Sequence, residues 1–212
     1  MNRLVAWSTL VLLLAALQYA GRFSEGEPDR NVLYQYSTAV GSAVVYGIIL
    51  LCMLWIAGFR RDLLALRAPR SWRSALGLSL LVLVGVYVSI ALIDPFLHAG
   101  REQGLTPTGW QPDHAGAYAA NFVVVAGMAP IVEELTFRGV GFALLSRFGT
   151  IVALAGTSVA FAAAHGLVAG FPALFVFGLA VAYLRLRTGS LYPGMLLHAS
   201  FNALALATAF AR

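Results

Sequence analysis

The sequence predicts an all-α fold, a polytopic transmembrane bundle of about seven helices, and three observations predict it. Hydrophobic residues make up 60% of the 212 and charged residues 11%, with a mean hydropathy of +0.81; a soluble domain is about half apolar and a quarter charged. The apolar residues gather in long runs free of Asp, Glu, Lys, Arg and His, each near the length needed to cross a bilayer. All 14 basic residues are arginines, and Arg60, Arg61, Arg67, Arg70 and Arg73 crowd one segment between two such runs, the pattern of a cytoplasmic loop rather than of a nucleic-acid face. One Cys and no glycine repeat exclude a disulfide scaffold and a collagen-like fibre.

The runs place helices over residues 4–21, 31–59, 74–93, 115–132, 148–164, 166–184 and 188–197, the last continuing past His198 to 211. The first follows Arg3 and resembles a signal peptide, but Gln18 stands where a small residue should precede a cut after Ala20, so an uncleaved helix is expected. Residues 148–184 are interrupted only by His165 and are too long for one crossing; Gly166, Gly170 and Pro172 supply a turn. An N-terminus in the cytoplasm puts nine arginines inside: Arg3, the five of the loop, Arg147, Arg185 and Arg187. Four fall outside, Arg22, Arg30, Arg101 and Arg212, with Glu25, Glu27, Asp29, Glu102 and Asp113, in keeping with positive-inside bias. In the loop, Leu63, Leu64, Leu66 and Trp72 alternate with arginines; a surface helix on anionic lipid and plain topology bias account for this equally well. Residues 1–212 read as a single membrane domain.

Glu133, Glu134 and Arg138 interrupt the fourth apolar segment far from either end. At roughly 2.5 to 3.5 kcal/mol per mid-membrane charge they cannot face lipid; they either neutralise one another inside the bundle or line a wet cavity. Glu134 and Arg138 are four apart and share a helix face, whereas Glu133 points elsewhere and has no partner on its own helix. Pro130 removes a backbone hydrogen bond to the Ala126 carbonyl, so a kink or polar opening is expected near Glu133. His165 ends the fifth run, and His198 and Asn202 share a face of the seventh. Singly, each is most often an interhelical hydrogen-bonding residue. Counted from the cytoplasmic ends at about 1.5 Å per residue, however, all four come to roughly 12 to 22 Å of depth, one level of a layer about 30 Å thick.

A carboxylate beside an imidazole can take a proton from water, and a second imidazole with an amide can donate to the oxyanion of a tetrahedral intermediate: the inventory for peptide hydrolysis without a covalent intermediate. Zinc on His165, His198 and Glu133 is the alternative cofactor reading, and no cofactor at all is the other. Serine and thiol chemistry fit less well. Cys52 lies among Leu51, Met53 and Leu54 as a packing residue, and Ser158 and Ser200 lack a nucleophile-elbow context. His98 and His114 read as solvated loop residues.

Glu133-Glu134-Leu-Thr-Phe-Arg138, Phe161-Ala-Ala-Ala-His165 and His198-Ala-Ser-Phe-Asn202 resemble the EExxxR, FxxxH and HxxxN motifs of the CPBP family, which includes type II CAAX prenyl endopeptidases and bacterial Abi proteins. The resemblance covers a core of residues 115–205. It implies an intramembrane endopeptidase of a bacterial inner membrane, glutamic or metallo in type, acting on a membrane-proximal protein or peptide. Glu133 would be the base, His165 would assist it, His198 and Asn202 would form the oxyanion site, and Glu134 and Arg138 would support them. A catalytically inactive immunity or membrane binding protein of the same fold is the rival expectation.

Overall fold

The structure is a computed structural model that describes residues 2–24, 31–58, 60–97, 102 and 109–208. His98, Glu25, Glu27, Asp29, Arg30, Arg101 and Arg212 lie outside the described residues. The described chain is all-α: α1 (Arg3–Ser24), α2 (Tyr36–Ala57), α3 (Trp72–Leu97), α4 (Pro112–Phe148), α5 (Thr150–Ala163), α6 (Phe171–Thr188) and α7 (Tyr192–Ala207). A single helical turn, Arg61–Leu64, lies between α2 and α3.

Five helices, α1, α2, α3, α4 and α6, are long and apolar enough to cross a membrane. The outward faces of the first three carry Leu12, Leu17, Val40, Leu51, Leu80 and Leu92, each more than half exposed, as a lipid-facing surface requires. The other two are short: α5 has 14 residues and α7 has 16, about 21 and 24 Å of rise. The first carries Phe161 of the FxxxH motif, whose His165 lies in the turn just past its end, and the second carries the HxxxN motif.

Helix α4 is the axis of the molecule. It extends past the expected end at Val132 to Phe148, 37 residues in all, because its three charges find partners within the bundle and do not stop the helix. Nor does Pro130 break it. Residues Val123–Met128 are wound as a π-helix, in which Ala129 N–H bonds the Val124 carbonyl five residues back. In that register the carbonyl left without a donor by Pro130 is that of Val125 rather than Ala126, and Asn202 Nδ2 donates to it at 2.8 Å. A second π segment, Leu135–Gly141, follows the motif glutamates, and its Thr136 carbonyl accepts the Trp7 indole N–H at 2.9 Å. Each widened turn thus receives a side chain from a neighbouring helix.

The ends of the helices sort as the alternating topology expects. At one end, Arg67 Nε donates to the Gly189 carbonyl at 2.8 Å, and Leu191 N–H bonds the Ala65 carbonyl at 3.2 Å, joining the α2–α3 loop to the α6–α7 turn. At the other end, Arg22 pairs with Glu102 at 2.5 Å. Glu102 accepts Val168 N–H and Gly170 N–H at 2.9 and 2.7 Å, pinning the turn between α5 and α6. That turn starts at Gly166, whose φ of +66° suits glycine and whose α-carbon packs so closely on Gln18 that a Cβ would lie 2.7 Å from it. The arginine-rich loop does not form a surface helix beyond its one turn: Leu64 and Ala65 are buried against α4.

Candidate active site

On α4, consecutive residues point into different surroundings. Glu134 and Arg138 are fully buried, bonded to each other at 3.1 Å. Arg138 also donates to the Gly178 carbonyl at 3.0 Å and lies 4.4 Å above the Phe161 ring. The expected i,i+4 pair is present, with a cation–π face added. Glu134 does more than neutralise: its Oε1 also meets His198 Nδ1 at 3.0 Å. Gly194 leaves the room, since a Cβ there would stand 3.4 Å from Glu134 Oε2.

Glu133 has 13% of its side chain exposed. It finds its partners on other helices. Tyr46 of α2 donates its hydroxyl to Glu133 Oε1 at 2.8 Å, and His198 Nε2 stands 3.6 Å from Glu133 Oε2. His198 therefore lies between two carboxylates, one on each ring nitrogen. Phe177, 4.8 Å away, and Phe161, 5.8 Å away, pack edge-on to its ring and hold its plane.

A cavity of about 430 Å³ opens on the other side of Glu133. Its walls come from Leu14 and Gln18 of α1, from the small residues Gly41 and Ser42 on the α2 face that carries Tyr46, and from His165 at the end of α5. The structure thus brings Glu133 and His165 to one cavity and Glu133 and His198 to one contact. His165 Nδ1 lies 2.7 Å from the Phe161 carbonyl. A carbonyl only accepts, so Nδ1 carries the proton and Nε2 is the nitrogen with a lone pair. Asn202 is one turn beyond His198 and has one amide hydrogen committed to Val125.

Sequence reasoning missed Tyr46, and the signal for it was there. Tyrosine in a membrane helix belongs at the interfaces; at the middle of the 22-residue α2 a phenol needs a polar partner. His198 touches both Glu133 and Glu134, but among the described residues no group of three or more His, Cys, Asp or Glu is placed to hold a metal ion. Cys52 is a partly buried free thiol of α2, Ser158 back-bonds the Leu154 carbonyl at 2.6 Å, and His114 packs on Tyr34 at the loop end. None of these reaches the site.

Residues 115–204 match the family model described as type II CAAX prenyl endopeptidase Rce1-like. In this stretch the chain is similar to the CPBP family. The match runs from the start of the helical body of α4 almost to the end of α7 and includes all three motifs. It supports a CAAX-type protease and, with the five long apolar helices, a multi-pass membrane protein. No curated protein and no solved structure matches the chain.

Proposed function

We propose that the chain is an intramembrane endopeptidase that cuts a peptide bond of a membrane-associated protein or peptide, with Glu133 as the base that activates water. The observation that carries this reading is the position of the Glu133 carboxylate: at the wall of a mostly apolar cavity, oriented by Tyr46 through one oxygen, with an imidazole beside the other. A carboxylate so placed is costly unless it is used. Residues 115–205 supply the catalytic core of the single membrane domain.

In this mechanism a water in the cavity gives a proton to Glu133, its oxygen bonds the scissile carbonyl carbon, and the carbonyl oxygen becomes an oxyanion. His165, with its Nε2 lone pair, orients or shares the proton of that water. His198, as the imidazolium with Nδ1–H on Glu134, donates through Nε2–H, and Asn202 through its second amide hydrogen, to the oxyanion. Collapse of the intermediate breaks the C–N bond as Glu133 returns its proton to the leaving nitrogen, so protons balance over the cycle. Glu134 orients His198 through Nδ1 and Arg138 holds Glu134; both act through other residues rather than on the substrate.

The substrate's membrane-proximal part occupies the apolar cavity between α1, α2 and α4, and a lipidated C-terminal tail of the CAAX kind suits it. The protein sits in a bacterial inner membrane with its N-terminus in the cytoplasm. The test is Glu133→Gln in purified full-length protein incubated with lipidated and unlipidated peptides. Cleavage is expected to fall at least about 100-fold, the low end of what a general base contributes, with unchanged folding by circular dichroism. Undiminished cleavage by the variant rules Glu133 out as base. No cleavage by the wild type on any membrane-anchored peptide favours the inactive immunity or binding protein.

A further inference from the structure

We infer that the cytoplasmic end carries a built site for a phosphate-bearing anion, remote from the cavity at Glu133. A second cavity, of about 780 Å³, lies where the α2–α3 loop meets the α6–α7 turn. Arg67, Arg70 and Arg187 line it, together with Ser71 and Ser74, and none of its lining residues is acidic. Asp62, the one carboxylate in this loop, is taken up by Arg60 at 2.5 Å, and that hydrogen bond holds its carboxyl below the usual range. Three like charges around one opening repel unless an anion sits among them.

The walls are held in place rather than flexible. Arg67 spends Nε on the Gly189 carbonyl at 2.8 Å, leaving its two terminal nitrogens for a ligand. Gly189 itself has a φ of +67°, the left-handed end of α6 that lets its carbonyl turn toward Arg67. Ala65 is in the left-handed region at φ +48° although it is not glycine, a strained conformation that persists only where the surroundings fix it. Its carbonyl does so by accepting both Arg67 N–H at 2.9 Å and Leu191 N–H at 3.2 Å. Trp72 and Tyr183, each about two-fifths exposed, mark this level as the interface. Arginine forks pair with phosphate oxygens in a two-point manner, and at this depth the phosphate of an anionic phospholipid and a soluble phosphate can both reach them.

The experiment compares full-length wild type with an Arg70→Ala/Arg187→Ala double variant, which leaves the Arg67 bond to Gly189 intact; Arg73→Ala, outside the cavity, is the control. In one arm, native mass spectrometry from detergent counts retained phosphatidylglycerol against phosphatidylcholine. In the other, thermal unfolding is followed with added inorganic phosphate or pyrophosphate. Wild type and control are expected to retain phosphatidylglycerol selectively, and the double variant to bind it roughly 30-fold more weakly, at about fivefold per arginine. A phosphate-dependent rise in unfolding temperature that the double variant loses, without selectivity for phosphatidylglycerol, assigns the site to soluble phosphate and also supports it. The inference is overturned if neither probe distinguishes the folded double variant from wild type, or if Arg73→Ala lowers binding as much.

Discussion

Glu133 and Glu134 are adjacent in sequence, yet their surroundings give them different work. Glu134 is enclosed by Arg138 and His198, so its charge is spent on structure, while Glu133 keeps one face on the cavity. Tyr46 supplies the geometric link. Tyr46→Phe removes one hydrogen bond and no volume. A charge-assisted hydrogen bond is worth about 1.5 to 3 kcal/mol, so kcat is expected to drop at least about tenfold while KM stays within about twofold. Steady-state kinetics on one peptide checks this; a rise in KM with constant kcat would mean that Tyr46 touches substrate instead. The motif residues were legible in the sequence because membrane charges are expensive and few. Tyr46 was not, because a tyrosine in an apolar run carries no charge and its partner is 87 residues away.

Among the elements, α4 shows how a proline and three charges are accommodated in one continuous helix. The π turn upstream of Pro130 transfers the orphan carbonyl to Val125, and Asn202 of α7 satisfies it. Two residues that sequence reasoning treats separately are therefore coupled. Asn202→Ala is expected to destabilise the protein by about 1 to 2 kcal/mol. In a Pro130→Ala background, where residue 130 regains an N–H, most of that cost should vanish. A double-mutant cycle on unfolding free energy measures the coupling; strictly additive effects would show that Asn202 does not serve Val125. The apolar runs located these helices well, but the rule that ends a span at the first charge stopped α4 short at Val132, because a single-helix count does not register partners supplied by α2, α6 and α7. Residues 74–93 and 188–211 shifted by only a few positions, since flanking Arg, Gly and Pro residues punctuate them.

For the molecule as a whole, the arginine balance predicts which way the bundle is oriented. Alkaline phosphatase fused after Arg73 is expected to be inactive in intact bacteria, and a fusion after Trp110 active. The reverse pattern would invert the assigned sidedness and move the arginine cluster to the outer face. The bundle's class was evident from composition alone. Its division of labour was not, because contacts between halves of a chain leave no local trace in composition or spacing.

The wall opposite Glu133 is built by α1 and α2, from Leu14 and Gln18 to Tyr46, none of which falls within residues 115–204. A chimera that grafted the motif-bearing half onto foreign helices would inherit the ionisable groups without the chamber that dries and aims them. The first half of the chain, outside the matched stretch, thus shapes the wall that faces Glu133.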